Sequence, residues 1–111
     1  MGIPALDVRT DSDGTVVIRP HGLVGLNHAV ELRQVLVHAV RKLRPMRLVL
    51  DLADVTGLDP INLGTVSAIC DIADDHSVAV FIDCPSAVLA GQLTAAGVSP
   101  RRLRLTSTRT R

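Results

Sequence analysis

The sequence predicts an α/β fold, a mixed β-sheet with helices packed mainly on one face. Three observations carry that prediction. Two apolar runs too short to be helices, "RLVLDL" (47–52) and "VAVFID" (78–83), bracket a stretch of helical length. Strand, helix and strand in that order demand a parallel pair with a right-handed crossover. Near the N-terminus, Asp13-Gly14 is a turn signal between two further strand-like runs.

The first of these runs, "ALDVR" (5–9), alternates apolar and polar residues as a half-buried strand does. After the turn, "VVIRP" (16–20) is expected to pair with it antiparallel at one side of the sheet, ending at Pro20, His21 and Gly22. Asn27 is expected to N-cap a helix over 28–43, with Ala29, Leu32, Leu36, Ala39 and Leu43 on its apolar face. Arg41, Lys42 and Arg44 suit the negative end of its dipole, and Pro45 stops it. Leu48, Val49, Leu50, Val80, Phe81 and Ile82 lie in continuous apolar runs, which predicts central strands buried on both faces. A second helix is expected over 61–75, and a third over 86–96 with Gly97 as its terminator. "RRLRL" (101–105) reads as a last edge strand, and "TSTRTR" (106–111) as a flexible tail. The expected order is β-β-α-β-α-β-α-β, in one domain over residues 1–111.

Composition narrows the function classes. A chain of 111 residues, 47% hydrophobic and 21% charged, folds around one core. A net charge of +1 gives no global attraction to nucleic acid or to a membrane surface. With one Phe and no Tyr or Trp, a base-stacking platform is excluded. No run approaches the ~18 apolar residues of a membrane span, and the N-terminus lacks signal-peptide character. Cys70 and Cys84 have no zinc-ligand spacing and read as reduced, buried thiols. A cytoplasmic protein without metal or other cofactor, without membrane insertion and without nucleic acid is the expectation.

The candidate sites are few. In "LDPINLGT" (58–65), Asp59 followed by Pro60 is a strong helix start, because Asp accepts from free backbone N–H groups and Pro lacks a donor that would go unused. The same place, a helix N-terminus just after a buried strand, is where α/β sheets put functional loops. "GLVG" (22–25) makes no dinucleotide fingerprint, and His21, His28, His38 and His76 have no triad or metal-motif spacing. Without a nucleophile, base and orienting group in reach of one another, no enzyme is expected. Asp71, Asp74 and Asp75 share a helix face with Gly64 and Ser67, and they oppose the dipole at the helix C-terminus. That face is either merely solvated or meets a basic partner. Arg101, Arg102, Arg104, Arg109 and Arg111 read as a solvated C-terminal edge.

Three segments together resemble a known family. "GLVGLNHAVELRQVL" (22–36) is similar to G-E-L-D-x-x-x-A-x-x-L-x-x-x-L, and "RLVLDLADVTGLDPINLGTVSAI" (47–69) to V-L-D-L-S-x-V-x-x-x-D-S-S-G-L-G-x-L. "VAVFIDCPSAVLAGQLTAAGV" (78–98) resembles the closing strand and helix. The chain is identified as a member of the STAS family, anti-sigma factor antagonist-like. The resemblance implies a non-enzymatic switch whose partner is an anti-sigma factor that is also a serine kinase. It implies a contact surface made of Asp59, Pro60, Ile61, Asn62, Leu63 and Gly64 with Ser67, Asp71 and Asp74 on the following helix. Asp59, Leu63 and Gly64 match the family pattern. Pro60 stands for its first serine, Ile61 for the serine that is phosphorylated, Asn62 for its glycine, and Gly25 for a bordering acid. No phosphorylation is therefore expected at the family position, with Thr65 and Ser67 as the nearby hydroxyls. The alternative is a STAS subunit of a transporter or larger signalling assembly, and small-ligand binding at the "DPIN" loop ranks last. A homodimer is left open.

Overall fold

The computed structural model describes residues 6–84 and 86–105. Strand β1 (Leu6–Thr10) turns into β2 (Val16–Pro20), and their antiparallel register sets Val8 against Ile18. Gly14 at φ +87° makes the turn, as Asp13-Gly14 predicts, and the Asp13 carboxylate accepts from the Thr15 N–H at 3.0 Å. Two further parallel strands, β4 (Arg47–Asp51) and β6 (Ala79–Cys84), extend the sheet from β2, and β7 (Leu103–Leu105) closes it. The order is β1-β2-β4-β6-β7. The predicted tail over 106–111, the Arg109 and Arg111 of the basic cluster, and the Pro85 turn lie outside the described residues.

Two strands come as additions to the predicted order. β3 (Gly22–Val24) and β5 (Val55–Leu58) pair in parallel as a separate small sheet. Each is too short to show a periodicity of its own.

Helix α1 (Ala29–His38) continues into a π-helical stretch over Ala39–Leu43, where the Arg44 N–H reaches back to the Ala39 carbonyl at 2.9 Å. This wider turn corrects the predicted apolar face. Leu32, Leu36 and Ala39 are buried as expected, but the slower rotation brings Val40 inward and leaves Leu43 exposed. Asn27 does not cap α1. It sits in a 3-10 turn over Leu26–His28, and His28 holds the cap position without a side-chain hydrogen bond. Helix α2 (Pro60–Asp75) and helix α3 (Ala87–Ala95) stand within a residue or so of their predicted bounds, and Ser86 caps α3 by accepting from the Leu89 N–H at 3.2 Å. Gly97, at φ +112°, ends that segment.

The helices cover one face of the main sheet, so the central strands are not apolar on both sides. Ile18, Leu48, Leu50, Val80, Ile82 and Cys84 are buried with Leu32, Leu36, Val66, Ile69 and Leu93 in one core. On the other face Phe81 is half-buried, and the Arg104 guanidinium lies 5.1 Å from its ring centroid. Val17 and Val49 share that face with charged residues including Arg47, Asp51 and Asp83. Both cysteines are buried. Burial pushes the Cys70 thiol up and carries Cys84 to about 11, with Asp83 adding to the second shift, so neither is a ready nucleophile.

His21 fastens the entry to β3. Its Nε2 lies 2.7 Å from Asp7 Oδ2 and its Nδ1 3.0 Å from Asp54 Oδ2, and an imidazolium supplies a donor to each. Arg19 shares Asp54, 3.3 Å from its Oδ2, and lies 3.8 Å from Asp51 Oδ2. The bond to Asp7 is the main cause that holds His21 above its ordinary 6.5; it outweighs desolvation, and Asp54 adds to it.

Two predictions follow from this packing. Leu50→Asp places an unpaired charge at a site 1% exposed, and circular dichroism should show an unfolded chain; a soluble variant with a cooperative melt would refute the core assignment. Because the native pKa of His21 is raised, its stabilisation is complete below 6.5 and is lost as pH rises through the native value. The urea midpoint of the wild type should fall relative to His21→Gln as pH rises from 6.5 through the raised native value of His21. Parallel pH profiles for the two proteins would remove the imidazolium tie.

Candidate functional site

The N-terminal turn of α2 is built by the small sheet. β3 and β5 bring Val24 and Gly25 beside Asp59, whose N–H donates to the Val24 carbonyl at 3.0 Å. Asp59 is the N-cap of α2, as its spacing predicts. Its Oδ1 accepts from the Ile61 N–H at 3.1 Å, and Pro60 occupies the first turn. The Asp59 carbonyl begins the helical ladder by accepting from Asn62 N–H at 2.8 Å and Leu63 N–H at 3.2 Å.

Asn62 is the residue whose role sequence reasoning missed. It was expected on a recognition surface, yet it is fully buried. Its Nδ2 donates to the Val24 carbonyl at 2.8 Å and to the Gly25 carbonyl at 3.1 Å, bolting α2 to the loop after β3. A buried amide in this role cannot also meet a partner. The available signal was the exchange of a flexible glycine for a residue with two N–H donors, beside a loop whose carbonyls need partners.

The remaining predicted contacts divide between two flanks of α2. Ile61 is 50% exposed and, with Gly64, Thr65, Ala68 and Ile72, borders a groove against Arg33, Val37 and Arg41 of α1. Leu63 is partly buried against the core. Ser67, Asp71 and Asp74 follow the other flank, toward α3 and the C-terminal strand. Ser67 is half-buried, and a Cβ placed on Gly97 would meet its Oγ at 2.8 Å. Asp74 is not an open acid: Arg102 Nη2 lies 2.6 Å from its Oδ1. Arg102 and Arg104 therefore do more than line a solvated edge. The first binds Asp74 and the second Asp83 at 2.6 Å, fixing β7 to the sheet. Asp71 and Asp75 remain exposed without an ion pair among the described residues.

The nearby hydroxyls are occupied or enclosed. Thr65 Oγ1 donates to the Ile61 carbonyl at 3.1 Å, and Ser67 faces Gly97. Among the described residues no group of three or more His, Cys, Asp or Glu is arranged for a metal, and no helix is long and apolar enough to cross a membrane.

This architecture is the STAS fold of the anti-sigma factor antagonists. SpoIIAA of Bacillus in its unphosphorylated form matches at 14% identity and a TM-score of 0.76, covering 93% of this chain and 90% of SpoIIAA. Its phosphorylated form gives the same TM-score of 0.76, so the fold does not distinguish the two states. An anti-sigma factor antagonist from Mycobacterium paratuberculosis matches at 25% identity and a TM-score of 0.65, over 81% of this chain and 76% of that one. SLC26A9 matches at 14% identity and a TM-score of 0.60, over 84% of this chain but 18% of its own length. No family model matches the sequence, and no curated protein matches it significantly.

Removing the bolt should cost more than removing the cap. Asn62→Ala leaves buried backbone carbonyls with fewer donors and should lower unfolding free energy by about 2 kcal/mol. Asp59→Ala should lower it by about 1 kcal/mol. Urea denaturation gives the order directly, and a larger loss at Asp59 than at Asn62 would contradict this account of the site.

Proposed function

We propose that this chain is a non-enzymatic, cytoplasmic binding protein of the anti-sigma factor antagonist kind, acting in transcription control through an anti-sigma factor/serine kinase-like partner. In this reading the partner meets the turn at Asp59, Pro60 and Ile61, together with Leu63, Gly64 and the adjoining surface of α2. The observation that carries it is Ile61. A half-exposed aliphatic side chain stands where the family resemblance puts the modified serine, next to a helix start held rigid by Asp59, Pro60 and Asn62. A side chain without a hydroxyl accepts no phosphate, so binding here is constitutive and independent of serine phosphorylation. The enclosed Ser67 and the bonded Thr65 support the same conclusion.

A second reading, a subunit of a transporter or larger signalling assembly, draws on the match to a small part of the much longer SLC26A9 chain. Affinity purification from the native host separates the two by the identity of what is captured.

Two measurements test the proposal. Intact-mass analysis after incubation with ATP and candidate kinases of the same host should show no added phosphate. Stoichiometric phosphate on Thr65 or Ser67, with loss of partner binding, would overturn phosphate independence. Ile61→Asp should weaken the captured partner about tenfold by desolvating a charge in the contact, with an unchanged melting temperature. Wild-type affinity for Ile61→Asp would move the contact elsewhere.

A further inference from the structure

Arg33 of α1 and Arg41 of the π-helical stretch that continues it share with Arg44, Arg47 and Arg101 the lack of an ion pair among the described residues, but they alone flank an apolar groove between two helices. Arg9, Arg19, Arg102 and Arg104 each face a carboxylate, at separations between 2.6 and 3.8 Å. Arg33 and Arg41 make no ion pair among the described residues. An acid at position 37 stands four residues from both and would serve them at i and i+4 spacing, yet the residue there is Val37. Arg33, Val37 and Arg41 form one wall of a groove of about 360 Å³, and Ile61, Ala68 and Ile72 of α2 line the other. At helical spacing, the same stripe of α1 runs upstream to Val30, which is 66% exposed.

An apolar floor edged by unpaired arginines has the composition of a protein interface, where Arg is enriched and apolar side chains fill the centre. Asp74, on the far flank of α2, is taken up by Arg102 and does not neutralise it.

We propose that the α1–α2 groove receives an acidic amphipathic helix of a partner protein. Its apolar side chains fill the floor, and its carboxylates pair with Arg33 and Arg41. A guanidinium binds a carboxylate through two parallel hydrogen bonds, and the match is stronger where water is excluded. The two arginines stand about two helical turns apart, so a helix lying alongside presents carboxylates about two turns apart, with apolar residues at three- and four-residue spacing between them. The inference rests on the reading of this chain as a binding protein and adds the chemistry of what it binds. A nucleic acid would find cations here, but an aliphatic floor offers its bases no stacking surface.

The test uses the full chain, labelled with nitrogen-15, and a synthetic amphipathic helix of about 18 residues with leucines at helical spacing and glutamates about eight apart. One control peptide replaces the glutamates by glutamine, and another the leucines by serine. Chemical-shift changes should be confined to the facing sides of α1 and α2. Affinity should fall about tenfold with either control peptide and with Arg33→Glu/Arg41→Glu, whose melting temperature should match the wild type, and Arg101→Glu, exposed and outside the groove, should bind as the wild type does. The proposal fails if millimolar peptide produces no shifts, or if the glutamine peptide binds equally well. It fails also if a single-stranded oligonucleotide perturbs the same residues more tightly, or if the groove shifts with protein concentration alone, which would make a second copy the occupant. The phosphate measurement uses other residues and the native partner, so phosphate independence and the occupant of the groove can fail separately, whereas Ile61→Asp bears on both because Ile61 also lines the groove.

Discussion

The carboxamide of Asn62 joins segments of chain 38 residues apart in sequence, and the N-terminal turn of α2 is arranged around it. Its two N–H donors fix the α2 N-terminus against the Val24 and Gly25 carbonyls, which would otherwise compete for partners in a dry environment. Asp59 N–H shares the Val24 carbonyl, so cap and bolt meet at one oxygen. With Pro60 limiting the backbone between them, little freedom is left in the turn. Ile61 faces outward because its neighbour faces inward. The position that meets solvent is set by the position that is buried.

Much of the fold was legible because the signals were regional. A parallel pair bridged by a helix is implied by two short apolar runs around a long amphipathic one, and no detail of packing alters it. The site was less legible because its determinants are tertiary. Asn62 looks polar and exposed in a linear reading, since nothing local says that two carbonyls of a distant loop approach it. Asp74 looks available until β7 brings Arg102 to 2.6 Å. The expected double burial of Phe81 failed for a different reason. Apolar continuity along a strand does not say whether helices cover both faces, and here Arg104 supplies the cover on one. Asn27 was the wrong choice of cap because a 3-10 turn intervenes before α1 and shifts the cap and the helix start by one residue.

Charge is sorted with the same one-sidedness. The carboxylates around Arg19, His21 and Arg104 are committed to internal pairs that tie strand ends together. The arginines beside the α1–α2 groove are uncommitted, and on the other flank of α2 Asp74 is held by Arg102. A near-neutral total thus conceals an uneven local distribution. The net charge says little about partners here because it reports only the sum.

The strand order also says something about how the chain reaches this state. β4 is the strand that joins the N-terminal hairpin to the second half of the sheet: Leu48 pairs with Val16 on one side and with Val80 on the other. Each pairing closes a loop of the same length, one holding α1 and the other α2. The hairpin of β1 and β2 assembles quickly from neighbours in sequence, but it has no sheet to join until β4 arrives. Folding of such a topology is limited by closing long loops more than by forming helices, and the barrier is shared between two equivalent closures. A circular permutation that cuts within β4 would therefore slow assembly from both directions at once, whereas a cut in the β1–β2 turn would leave both closures intact.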